Sequence, residues 1–165
     1  MPDHPMAALA TVFNFHTGSL KAIAQRLDSD ADWRKPIAPD TSSAYWLFGH
    51  LATYRRALVA TINGTTSTML WDGKFVRDTH PSDELVPAPA DVLAELVASG
   101  DEMAARMVQL SDEALAADCG RPMRTGDRTV RGMLHFMQFH EAYHIGQLGL
   151  IVKGLGKPPL VTPGK

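Results

Sequence analysis

Four stretches of this chain place apolar residues three and four positions apart, and no pair of stretches alternates in the way that would define paired strands. Side chains at those spacings stack on one face of a helix, so each stretch has a stripe to bury. Four such stripes bury one another as an all-α four-helix bundle. The first runs from about Met6 to Leu27, with Leu9, Val12, Phe13, Leu20, Ile23 and Leu27 on its stripe. The second opens at Thr41, Ser42 or Ser43, any of which can cap, and runs to about Ile62 along Leu47, Leu51, Tyr54 and Leu58. The third begins near Pro89 and runs to about Leu110, with Gly100 on the stripe of Leu93, Leu96, Met103 and Met107. The fourth begins after Thr129 and ends at Gly154 to Gly156, where Pro158 and Pro159 forbid continuation.

The connections carry their own signals. Polar residues and two prolines break the chain between Asp28 and Pro39, and Asn63-Gly64 is a left-handed stop. The connection from Asn63 to Ala88 is longer than compact domains ordinarily leave without structure, and Trp71, Phe75 and Val76 within it imply a packed crossing. Gly120, Pro122 and the Thr125-Gly126-Asp127 turn suggest a small hairpin before the last helix. A length of 165 residues fits one domain spanning 1–165.

Composition narrows the function classes. Sixteen Lys and Arg against eighteen Asp and Glu give a net charge of −2, which argues against nucleic acid as a partner. No apolar run approaches the length of a bilayer span, so no membrane role is expected. One cysteine, Cys119, makes no internal disulfide and suits a reducing compartment. Asp3 stands where a signal peptide would carry basic residues, so the expected location is cytoplasmic.

The chemistry lies in the fourth helix. Its stripe reads Val130, Met133, Met137, His140, His144, Leu148, Ile151 and Leu155, with two histidines in an otherwise apolar seam. Burying two imidazoles is costly unless each finds a partner, and i, i+4 spacing converges both on one point where a metal ion can satisfy them. The second helix offers His50, beside Leu47, Leu51 and Tyr54. Three neutral imidazoles suit zinc, nickel, copper or iron and leave a coordination position open for chemistry. His16 also falls on an inward stripe, as a fourth ligand, a proton shuttle, a substrate contact or a core histidine. His135 lies close to the opposite side of its helix from His144, and His4 and His80 are expected to be solvated.

His140-Glu141-Ala142-Tyr143-His144 matches the H-E-x-x-H pattern of zinc peptidases. Those enzymes generally take a third ligand downstream, and from Ile145 to Lys165 there is no His, Asp, Glu or Cys, which makes a peptidase the weaker reading. Glu141 sits one position off the seam. It is a candidate catalytic base or partner of an imidazole, or else a glutamate facing solvent.

The segment from Phe139 to Leu148, with Gly154-Leu155-Gly156-Lys157-Pro158 after it, resembles the last helix of the DinB/YfiT-like metalloenzymes. Trp46-Leu47-Phe48-Gly49-His50-Leu51 is similar to the second-helix motif of that family, and Phe13-Asn14 to its first. The resemblance implies a four-helix bundle holding zinc or nickel on His50, His140 and His144, frequent homodimers, and a small-molecule substrate. It also implies thiol-dependent transferase or isomerase chemistry with a low-molecular-weight thiol as co-substrate. His16 departs from the large aromatic that relatives often carry. Gln147, one turn beyond Tyr143, is placed to bond a ligand histidine or to satisfy a neighbouring helix. Gly146 and Gly149 imply close packing against another helix or subunit.

Two functions follow. In the first the chain is a metal-dependent transferase or hydrolase, with Glu141 or His16 moving protons and the 63–88 connection shaping the pocket. In the second it is a non-catalytic metal-binding or stress-response module. A purely structural bundle is the third possibility.

Overall fold

Ser43, Thr129 and Pro89 start the long helices where local chemistry directs. In this computed structural model, which describes residues 4–67, 69–79 and 84–160, the hydroxyl of Ser43 accepts from Trp46 N at 3.2 Å and that of Thr129 from Gly132 N at 3.0 Å. The helices are α1 (Ala7–Ala24), α2 (Asp30–Arg34), α3 (Ala44–Ile62), α4 (Pro89–Met107), α5 (Asp112–Ala116) and α6 (Val130–Gly154). The four long ones follow the four apolar stripes. The short helices α2 and α5 fall in stretches whose polar residues hid them, and each is capped by a serine, Ser29 and Ser111. The expected hairpin reduces to a single bridge between Asp118 and Thr129, and no strand occurs among the described residues.

Two apolar clusters fix the helix directions. One joins Leu20 and Ile23 of α1 to Leu47 and Leu51 of α3, Val92 and Leu96 of α4, and Leu148 and Ile151 of α6. The other joins Leu9 and Phe13 to Leu58 and Ile62, Met103 and Met107, and Met133 and Met137. The end of α1 therefore meets the starts of α3 and α4 and the end of α6, so α3 and α4 run parallel and opposite to α1 and α6. Each of α1 and α3 packs against both α4 and α6. Parallel neighbours cannot be joined by a tight turn. The connection from Asn63 to Ala88 must travel the length of the bundle, about 28 Å for a helix the length of α3. It does so as a packed crossing, with Phe75 wholly buried.

Between the two clusters lies a polar layer drawn from all four helices: His16 and Thr17, Arg55, Ser99 and Gly100, and Glu141. All but Gly100 carry buried side chains that hydrogen-bond within the bundle, Ser99 to its own helix through Glu95 O and Leu96 O. A Cβ on Gly100 would collide with the Arg55 guanidinium, which is why α4 has a glycine on its stripe. No helix of the described residues is long and apolar enough to cross a membrane.

Two expectations about individual residues change. His4 is half-buried rather than free in solvent: its Nε2 donates to Leu110 O at 2.8 Å and ties the segment before α1 to the segment after α4. His80 lies outside the described residues. A Cβ at Gly146 or Gly149 would meet nothing within 4 Å among the described residues, so of the close packing expected of them, that against another helix of the same copy is not found there.

Candidate metal centre

His50 on α3 and His140 and His144 on α6 come together near the middle of the bundle, forming a group of ligand atoms within 4.8 Å of one another. The Nε2 of His140 stands 3.1 Å from that of His50 and 3.2 Å from that of His144. Their outer nitrogens explain why the Nε2 atoms face inward. His50 Nδ1 donates to Phe75 O at 2.8 Å, and His144 Nδ1 donates to the Gln147 side-chain oxygen at 2.6 Å. A proton fixed on Nδ1 leaves Nε2 a bare lone pair. Gln147 in turn reaches the Tyr143 hydroxyl at 3.4 Å.

The 63–88 connection thus contributes directly to the site, through the Phe75 carbonyl. Its ring lies over Gly49, where any Cβ would overlap it, so the glycine before His50 makes room for the residue that orients His50. Trp46 stacks on the His50 ring at 4.5 Å between centroids, and its Nε1 donates to Thr79 Oγ1 of the same connection. Tyr54, one turn along α3, lies 4.6 Å from the His50 ring and 5.4 Å from that of His140.

The electrostatics keep the three rings neutral. Burial pushes the His50 pKa down to about 4, and burial with the nearby imidazoles pushes that of His140 down to about 3. His144 is also lowered, chiefly by burial. Neutral imidazoles are the form that binds a cation.

The donor set fits a divalent metal. Zinc–nitrogen bonds of about 2.0–2.1 Å at tetrahedral angles separate two ligand nitrogens by about 3.3 Å, close to the spacings here. His140 Nδ1 is a buried atom with no hydrogen-bond partner among the described residues, so the ring of His140 is held only through its Nε2, between those of His50 and His144. The chemistry of the three atoms asks for a cation between them.

His16 and Glu141 lie elsewhere. The seam of α6 passes through Glu141, which is fully buried, rather than beside it, and His140 stands at the edge of that seam, half-buried. The exposed reading of Glu141 is therefore overturned. Its two oxygens accept from Arg55 Nε at 2.6 Å and Nη2 at 2.8 Å, and one also accepts from His16 Nδ1 at 3.2 Å. Burial raises the Glu141 carboxyl, but the Arg55 guanidinium outweighs it and holds the pKa below its ordinary value. Glu141 does bond an imidazole, that of His16, but not one of the three converging rings. His16 stands outside the group of candidate ligands. His135 is exposed, as its helix position implies, and Cys119 is a free, partly exposed thiol bonded to Arg121 O.

Arg55 is the residue that sequence reasoning passed over. Its signal was present: Leu51, Arg55, Leu58 and Ile62 form one inward stripe, and a charge on such a stripe requires a buried partner.

A parallel–antiparallel helical bundle with three inward imidazoles defines the class. The family model of the DinB superfamily matches residues 13–148, and the chain belongs to that superfamily. No curated protein and no solved structure matches the chain.

Proposed function

We propose that this protein is a metal-dependent enzyme in which His50, His140 and His144 hold one zinc or nickel ion. The convergence of three Nε2 atoms, two of them stripped of protons by Phe75 O and Gln147, carries the reading. When bound, such an ion lowers the pKa of a coordinated water or thiol and supplies a nucleophile at neutral pH. The reaction class is thiol-dependent transfer or hydrolysis on a small molecule, with a low-molecular-weight thiol as co-substrate in the first case.

The chain's own groups divide the remaining work. Phe75 and Gln147 orient two ligands, and Trp46 and Phe75 shield the His50 side from water. Tyr54 places a phenol beside the His50 and His140 rings, where it can hold or pass a proton. Glu141 and His16, which the sequence suggested as proton carriers, are better suited to positioning. Both carboxylate oxygens are engaged, and they point into the bundle about 100° around α6 from His140. A peptidase role for Glu141 as base has the same geometry against it.

Gly146, Gly149 and Leu150 lie on the outer face of α6, and Leu150 is an exposed apolar side chain. This face favours a second copy of the chain as partner, in a cytoplasmic homodimer. A Gly146→Leu variant that sediments as a monomer beside a dimeric wild type supports that assignment; two identical sedimentation profiles defeat it.

The decisive experiment is metal content by mass spectrometry on protein purified without a tag or nickel resin. The expected outcome is about one zinc or nickel per chain, lost in His144→Ala. Metal-free protein that still binds neither ion after dialysis overturns the proposal. If Glu141→Gln retains metal and all turnover of a thiol-transfer substrate, positioning by charge is also excluded.

A further inference from the structure

Beside the first half of α6, where the 117–129 excursion folds over it, lies an open groove of about 670 Å³. That volume is in the range of small-molecule sites. Its floor is Phe136 and Phe139, and Phe139 is exposed to 62%. Its wall carries Arg124, Arg131 and His135, with Asp127 as the one acidic group.

The two arginines of this groove are barely engaged by the fold. Arg124 makes no hydrogen bond or ion pair among the described residues. Arg131 has only a 3.4 Å contact to Asp112, whose side chain is 88% exposed. Asp127 is spent at the helix start, where its Oδ1 accepts from Thr129 N at 2.7 Å and Thr129 Oγ1 at 2.8 Å. A smaller cavity of about 210 Å³ near Arg56 differs on this point, because Arg56 is paired with both Glu95 and Glu102.

Phe136, which lines the groove, stands 6.5 Å, ring centre to ring centre, from His140. Gly132 and His140 are two helical turns apart, about 12 Å along the axis. We propose that this groove binds a carboxylic acid with a planar apolar body. Arg124 and Arg131 meet the carboxylate, and Phe136 and Phe139 hold the body, with its far end directed past Phe136 to His140. That far end rests on the proposed metal-dependent function; the binding of the acid itself does not. Guanidinium groups select carboxylates by paired donors, and aromatic faces reward planar apolar ligands without regard to charge.

The test uses the full chain stripped of metal, titrated with 2-naphthoate and with the neutral 2-naphthamide, followed by calorimetry. Naphthoate is expected to bind about tenfold more tightly than the amide. An Arg124→Ala/Arg131→Ala double variant should remove that difference while leaving the thermal melt unchanged. Phe139→Ala should weaken acid and amide alike. Equal binding of acid and amide, or a double variant that binds as the wild type does, overturns the proposal. Naphthoate that binds only to zinc-loaded protein and is lost in His144→Ala also overturns it. That result would place the carboxylate on the ion and leave the metal reading standing.

Discussion

Arg55 and Glu141 face each other across the centre of the bundle as a bidentate pair, at 2.6 and 2.8 Å, with both residues fully buried. The remaining guanidinium nitrogen donates to Thr17 Oγ1 and to Leu96 O, each at 2.9 Å, so one side chain ties α3 to α1, α4 and α6. Glu141 is the neighbour of His140 in the chain. The pair therefore sets the height at which α6 meets α3, and with it the distance between His50 and the two α6 histidines.

Breaking the pair from one side should be severe. Arg55→Met leaves a buried carboxylate without compensation and is expected to lose about 3–5 kcal/mol in urea unfolding. Combining it with Glu141→Leu should recover much of that loss. If the double variant is as unstable as the single, the two residues are not coupled as the distances imply.

Gly100→Ala drives a methyl into the Arg55 guanidinium, and Gly49→Ala drives one into the Phe75 ring. Each is expected to destabilise by about 1–3 kcal/mol in denaturant. Gly49→Ala should also weaken metal binding, because it moves the carbonyl that orients His50. Gly18→Ala in α1, with open space around it and no part in the proposed dimer face, is the control and should stabilise the helix slightly.

His140→Leu should change sign with metal. Without an ion, the substitution removes a buried nitrogen that has no hydrogen-bond partner among the described residues. Its expected effect is a rise in Tm equivalent to about 1 kcal/mol. With zinc present, the wild type gains binding free energy that the variant forgoes, so the order of the two Tm values reverses. Scanning calorimetry with and without zinc reads both.

Gln147→Leu removes the acceptor that keeps the proton on His144 Nδ1. Zinc affinity, measured by competition with a chelator, is expected to fall about 10–100-fold while the fold is retained. Unchanged affinity would show that Gln147 only satisfies its own helix.

The metal-free protein should lose stability as pH falls from about 6.5 toward the lowered values of about 4 for His50 and about 3 for His140. In that window the unfolded chain binds protons that the buried rings refuse, so unfolding is favoured as pH drops. Each such proton contributes up to about 1.4 kcal/mol per pH unit. Urea midpoints between pH 7 and 4 on the wild type and on His50→Leu/His140→Leu check it, since the variant's curve should be flatter.

Much of the site was legible because helical period alone tells which face a side chain occupies. His50, His140 and His144 interrupt apolar stripes, and an interrupted stripe is visible without knowing any partner. Period is less exact about the centre of a face. At this height the seam of α6 lies about one residue, or about 100°, from His140, so Glu141 is buried and His140 stands at the edge.

Local chemistry in the sequence determined where α3, α4 and α6 begin, which faces are apolar, and that His16, His50, His140 and His144 face the bundle, while α1 and α4 end at Ala24 and Met107, three residues short of where their stripes run out. What faces each of those groups was decided by tertiary structure. Arg55 and Glu141 are 86 positions apart in sequence, and His50 and the Phe75 carbonyl 25, so no local period relates them. Their meeting depends on α3 and α4 running parallel, which forces the 63–88 connection back along the bundle and brings Phe75 over Gly49. Helix direction and height come from how whole stripes and their connections pack together. Only then does a charge in an apolar stripe acquire its counter-charge, and a histidine the carbonyl that fixes its proton.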